Sequence, residues 1–206
     1  MIENEKNKII YKENLLPKAM LFVGNQGLGQ PEFAEKMVKV LSSEGYFKYK
    51  DLLQIHGATI GTVRNTYNLM ESLELNEKAV FVEEADRIAN DSTIAEFYNY
   101  INTNENAVVI FSVSPENEIR FLNRIKALKT KIAYTLRFED YTEDELYNVF
   151  QNKLADMDIF IEEDAAEEVR KLIKKAKIEE SFENIAYIEK LIQRIIIKQS
   201  MIKPEN

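Results

Sequence analysis

Five short runs of apolar, β-branched or aromatic residues, set between longer segments of helical period, constrain this chain more than any other feature. They are Ala19 to Val23, Leu52 to Ile55, Ala79 to Val82, Ala107 to Phe111 and Tyr134 to Phe138. A strand with one solvated face alternates apolar and polar residues. A near-continuous apolar run must be covered on both faces, and a parallel sheet with helices above and below provides that cover. An α/β fold with five βα units is therefore expected. The intervening helices carry start signals. Pro31 and Pro115 fall where a helix would open, a position that tolerates the missing N–H. Asp91 and Ser92 offer a cap ahead of Ile94, Phe97 and Ile101, and Thr142 with Glu145 reads as a capping box for a helix running to Ala155.

Beyond Asp156 the strand pattern stops and two amphipathic helices follow. One, near Asp164 to Lys177, turns Val169, Leu172 and Ile173 inward; the other, from Phe182 to Met201, aligns Ile185, Ile188, Leu191, Ile192, Ile195 and Ile196. The expected organisation is an N-terminal segment over 1–16, an α/β domain over 17–156, a small helical domain over 157–203 and a tail over 204–206. With 27 Lys and Arg against 35 Asp and Glu the chain carries −8, which repels a phosphate backbone and makes nucleic acid an unlikely partner. The absence of Cys excludes disulfides and thiolate metal sites, and the single His56 cannot build a His-rich one, so no metal site is expected. The charged start and the lack of eighteen consecutive apolar residues point to a cytoplasmic protein with no membrane partner.

The segment between the first run and the first helix is Gly24-Asn25-Gln26-Gly27-Leu28-Gly29-Gln30-Pro31. It stands where a phosphate-binding loop of the form G-x-x-x-x-G-K-[ST] belongs, and both framing glycines, Gly24 and Gly29, are in place. Gln30 replaces the lysine that would reach the β- and γ-phosphates, and Pro31 replaces the hydroxyl that would hold Mg²⁺ while also removing a backbone N–H. Glu32 adds a negative charge beside them. No cofactor is expected to bind tightly; ATP with Mg²⁺ is the cofactor if the loop keeps affinity. The third run ends in Glu83 and Glu84, the carboxylates that a Mg²⁺-linked acid and a water-polarising base require at the edge of a parallel sheet. Glu84 fits the base, and Glu83 stands where Asp is usual. A solvated acidic turn is the plainer reading of the same residues. His56, at the end of the second run, reads as a polar cap or surface residue.

Together these residues resemble the AAA+ superfamily of P-loop-type folds, and within it the group of red-type Rubisco activase and stage V sporulation protein K. The resemblance is carried by Ser114 to Leu122, Ala127 to Ile132, Phe138 to Leu146 and Ser181 to Ile188, and spans about residues 17 to 200. It implies a five-stranded parallel sheet with helices on both faces and a small helical lid. It also implies that Lys129 and Lys131, around Thr130, stand where the family has an arginine reaching a neighbouring subunit's γ-phosphate. Lysine lacks the planar fork that clamps phosphate oxygens in two places. By the same resemblance the lid arginine that senses nucleotide falls on Ala186, the threading loop after the second strand, Gly57 to Gly61, lacks an aromatic residue at Thr59, and Ser112 or Ser114 stands in for a polar sensor.

Lost together, these parts imply a catalytically inactive regulatory or scaffolding subunit with degenerate phosphate-loop, arginine-finger and lid-sensor positions. Its expected partners are other AAA+ subunits, as a homo- or hetero-oligomer, or a client protein. Two other functions stay open. One is a weak Mg²⁺-dependent ATPase that uses Glu84. The other is a subunit like the δ′ type of bacterial clamp loaders, which Leu15 to Phe22 and Glu84 to Ile88 also resemble.

Overall fold

The computed structural model describes residues 17–60, 78–179 and 182–201. They divide into two compact units. One comprises the described residues up to Gly24 together with Gln30 to Phe138; the other comprises Asn25 to Gly29 together with the residues from Glu139 onward. The segments 1–16 and 204–206, the crossover after Ile60 with Gly61, and Ser181 lie outside the described residues.

In the first unit β1 (Ala19–Val23), β2 (Leu52–His56), β3 (Ala79–Glu83), β4 (Val109–Val113) and β5 (Ile132–Arg137) form one sheet in the order β2-β3-β4-β1-β5. Every neighbouring pair is parallel. All residues of β1 and β4 are buried, as continuous apolar runs require of central strands. Side chains alternate between the two faces. Leu21, Val23, Val80, Val82, Val109 and Phe111 meet α2 (Asp91–Thr103), α3 (Glu118–Arg124) and α4 (Lys126–Lys129) through Phe97, Ile101, Phe121 and Leu128. Met20, Phe22, Phe81 and Ile110 meet Ala34 and Val38 of α1 (Gln30–Ser43) on the other face.

Three local expectations are corrected. The fifth strand starts at Ile132, two residues before the apolar run, and is mostly exposed because it is an edge strand with a neighbour on one side only. Pro115 sits in a turn rather than opening a helix, and α3 begins at Glu118. Asn90 and not Asp91 occupies the cap position of α2, without a side-chain cap bond, because the Asp91 carboxylate is taken by Arg124 at 2.9 Å. The same guanidinium donates to the carbonyls of Ile88 and Ala89, which fixes the entry to α2.

The second unit contains α5 (Glu143–Ala155), α6 (Glu163–Ala176) and α7 (Asn184–Met201), around Leu146, Phe150, Leu154, Val169, Ile173, Ile188 and Ile192. The Thr142 capping box is present in both directions: the Glu145 amide donates to Thr142 Oγ1 at 3.2 Å, and the Thr142 amide donates to Glu145 Oε2 at 2.8 Å. The domain boundary drawn after Asp156 falls one helix late. The apolar stripe of α5 is covered by α6 and α7, and a sequence shows a stripe without showing its partner. Leu172 and Ile196, expected inward, are exposed at the margins of their stripes. Among the described residues no helix is long and apolar enough to cross a membrane.

Candidate functional site

The carboxyl ends of parallel strands leave a row of loops where open α/β sheets bind ligands. In the first unit, His56, Glu83, Val113 and Val23 end β2, β3, β4 and β1 along that edge, and the Gly24 amide donates to the Val113 carbonyl at 3.1 Å. Glu83 is exposed and in register with His56. Glu84 follows in a left-handed conformation, φ 47°, and turns the chain into a 3₁₀ segment, Ala85–Arg87. A non-glycine residue held at positive φ is locally costly and is a feature of functional turns.

His56 Nε2 lies 2.6 Å from Glu84 Oε2, and Arg87 Nη1 lies 3.0 Å from the same oxygen. The Ala58 amide donates to His56 Nδ1 at 3.2 Å. Nδ1 is therefore an acceptor, which places the imidazole proton on Nε2, facing the carboxylate. Gly57 makes this close approach possible. Its amide donates to the Glu83 carbonyl at 2.7 Å, and a Cβ there would stand 3.0 Å from the Glu84 carbonyl carbon and nearer still to its oxygen. Ser112 is buried inside β4 opposite Phe22. Ser114, just past the strand, accepts a hydrogen bond at its hydroxyl from Asn117 Nδ2 at 3.0 Å.

The loop Asn25 to Gly29 belongs to the second unit, where it is tied to the start of α7. Asn25 Nδ2 donates to the Asp140 carboxylate at 2.8 and 3.1 Å. Asn184 Nδ2 donates to the Gln26 carbonyl and to Asp140 Oδ1, both at 3.2 Å, and the Ile185 amide donates to the Gly27 carbonyl at 3.0 Å. Gly27 has φ 75°, and a Cβ on it would stand 2.7 Å from the Glu183 carbonyl carbon and overlap its oxygen. Leu28 is buried, and Gly29 also adopts a positive φ of 80°.

Set against a magnesium triphosphate, these residues do not fit. The polyanion needs converging donors and a cation. Around the loop the second unit presents acceptors: the Asp140 carboxylate, and Asn184 Oδ1, which is buried without a hydrogen-bond partner among the described residues. Gln30, at the lysine position, is neutral and 5% exposed; Pro31, the second residue of α1, offers neither hydroxyl nor N–H. Among the described residues no group of three His, Asp or Glu is placed to hold a metal ion. Lys129 ends α4 and Lys131 opens the approach to β5. Both are exposed, and the Lys131 ammonium lies 6.0 Å from the Tyr98 ring centroid of its own chain.

His56, Arg87, Asp140 and Asn184 are the residues that reading the sequence left out of the site. His56 had one usable signal, its place at the end of the strand that neighbours β3. Asn184 looks like an ordinary cap before an apolar helix, and nothing local connects it to a loop 158 residues away.

A parallel sheet in the order found carries a glycine loop after its first strand and two acids after its third, and three helices make up the rest of the second unit. Residues 142–201 match the AAA lid domain family. The chain is similar to protein CfxQ of Xanthobacter flavus, 23% identical over 88% of this chain and 62% of that protein. It is also similar to the chloroplastic ribulose bisphosphate carboxylase/oxygenase activase of Cyanidioschyzon merolae, 24% identical over 88% of this chain and 64% of that one. The chain thus spans a little under two thirds of the length of these relatives. Among solved structures, a RuvB variant of Thermotoga maritima shares the fold with TM-score 0.58 and 16% identity, over 88% of this chain and 57% of that one.

Proposed function

We propose that this AAA+ protein acts as a non-hydrolysing subunit, working through contacts with other AAA+ subunits or a client protein. The observation that carries the reading is the pair Gln30 and Pro31 at the mouth of α1, where the phosphate loop has neither ammonium nor hydroxyl. Phosphoryl transfer depends almost entirely on positioning and charge stabilisation, so a site without its cation and metal ligand loses most of both. Two further features support it. Glu84 is engaged by His56 and Arg87, and two loop carbonyls are engaged by Asn184 and Ile185. Lys129 and Lys131 then face a neighbouring subunit without clamping a phosphate.

The test is calorimetry with ATP and Mg²⁺ beside a phosphate-release assay. The expected result is no micromolar binding and no turnover. Micromolar binding with turnover that vanishes in Glu84→Gln would establish instead the weak Mg²⁺-dependent ATPase, which the retained Gly24 and Gly29 and the placement of Glu84 at the end of β3 favour. Gln30→Lys with Pro31→Thr is expected to restore nucleotide affinity if the rest of the pocket is intact.

A further inference from the structure

We propose that α6 pairs with the α6 of a second copy of this chain, antiparallel about a two-fold axis, with Phe160 of each copy seated against Ile178 of the other. The helix buries Ala166, Val169, Ile173 and Ala176 on one side. Helical spacing turns Asp164, Glu167, Glu168, Lys171, Lys174 and Lys175 to the opposite side, and all six are exposed. This outer face is divided by charge, with acids towards the N-terminus, bases towards the C-terminus and the change falling between Glu168 and Arg170. The helix dipole favours acids in the first turn and bases in the last, but its influence falls off within those turns. Division through the middle of the helix works against the helix itself. It sets like charges one turn apart at Glu163 and Glu167, Asp164 and Glu168, Arg170 and Lys174, and Lys171 and Lys175, each a repulsive i,i+4 pair.

Reversed end to end, the face becomes its own complement. Rotation about a two-fold axis beside the middle of α6 brings Asp164 opposite the second copy's Lys175 and Glu168 opposite its Lys171, and the reciprocal pairs form with them. Glu143 and Asp144 of α5 border Arg170, Lys171 and Lys174, and Asp144 takes Arg170 at 3.1 Å. Lys175 is not among the residues they border, and two acids leave the basic half in excess. Glu168 approaches Lys171 of its own helix at 3.5 Å, an exposed pair worth little that exchange between copies replaces. Apolar side chains lie just beyond each end of α6. Ile159 and Ile161 pack against the lid core, so Phe160 between them points away from it, as the outer face does, and is 91% exposed. Past the other end the Lys177 amide still donates to the Ile173 carbonyl and the Glu179 amide to that of Ala176, both at 3.0 Å, so the chain keeps turning in the helical sense. Ile178, seven residues after Lys171 and on its side of the helix, is 82% exposed. Antiparallel pairing sets each ring against the other copy's isoleucine, one apolar contact at either end of the charged pairs. A contact made by one helix face belongs to the small, transient class.

The contact goes beyond the reading of the chain as a non-hydrolysing subunit and is tested apart from it: ATP turnover would remove that reading and leave the α6 pair in place. Sedimentation velocity on the full chain over a concentration series is expected to show self-association. Asp164→Lys with Glu168→Lys turns the paired positions basic, Lys171→Glu with Lys175→Glu turns them acidic, and each double variant should weaken association about tenfold or more. Two charge reversals take the first variant from −8 to −4, so loss of association there cannot come from overall repulsion. Mixed together, the two variants should associate again, and circular dichroism checks that each is folded. Because the chain has no Cys, its orientation in the pair can be read separately from Phe160→Cys and Ile178→Cys. A short bismaleimide should join these two variants when they are mixed and join neither to itself. A wild-type chain that stays monomeric, charge variants that associate like wild type, a mixture that stays monomeric, or cysteine variants that cross-link to themselves as readily as to each other would overturn the α6 pair.

Discussion

Replacing Gly27 by alanine is the sharpest probe of how the loop Asn25 to Gly29 is held, because Gly45 supplies an internal control. Both glycines have nearly the same left-handed backbone, φ 75° and 77°, but a Cβ on Gly27 meets the Glu183 backbone while one on Gly45 meets nothing within 4 Å. Gly45 closes α1, with its own amide bonded to the Ser42 carbonyl and the Tyr46 amide to that of Leu41. Gly45→Ala therefore costs only the left-handed conformation, about 1–2 kcal/mol. Gly27→Ala incurs that same cost and also forces the loop off α7. The bonds from Ile185 to Gly27 and from Asn184 to Gln26 then break, at about 0.5–1.5 kcal/mol each. The excess of Gly27→Ala over Gly45→Ala should be about 1–3 kcal/mol on this reasoning. Urea unfolding of the two variants side by side measures it, and amide hydrogen exchange at Ile185 reports the local opening. Equal costs, or an Ile185 amide as protected in Gly27→Ala as in wild type, would refute the claim that close packing fixes the loop.

Three other outcomes are expected. ¹⁵N NMR of the His56 imidazole should show the proton on Nε2, since the Ala58 amide occupies Nδ1, and Gly57→Ala should disturb that signal by pushing the end of β2 away from Glu84. Hydrogen bonds from the Thr142 amide, and secondarily from its hydroxyl, hold the Glu145 carboxyl below its ordinary range; the stability this lends is present above that range and is lost as pH falls through the lowered value. Thr142→Ala should raise the Glu145 titration midpoint by NMR only in part, because the amide remains, while removing a cap costs about 1 kcal/mol. Burial, reinforced by the nearby Tyr49, pushes the Tyr100 hydroxyl up to about 12, above its ordinary 10.0. A group that binds its proton more tightly when folded loses its contribution as pH rises through that window, so alkaline destabilisation between those values should be smaller in Tyr100→Phe when urea midpoints are compared.

What the sequence determined by itself was local chemistry and periodicity. The runs at Ala19 to Val23 and Ala79 to Val82 could only be covered strands, Thr142 and Glu145 could cap each other at a spacing of three, and Gln30 with Pro31 put neither an ammonium nor a hydroxyl after the glycine loop. Tertiary structure decided which surfaces met. The strand order sets β2 beside β3 and so brings His56 to Glu84, α5 joins the lid because its stripe finds α6 and α7, and Asn184 reaches back to the glycine loop at Gln26. Hydrophobic burial is non-directional, so a pattern of apolar residues tells a chain what to cover and leaves the choice of covering partner to the packing of the whole.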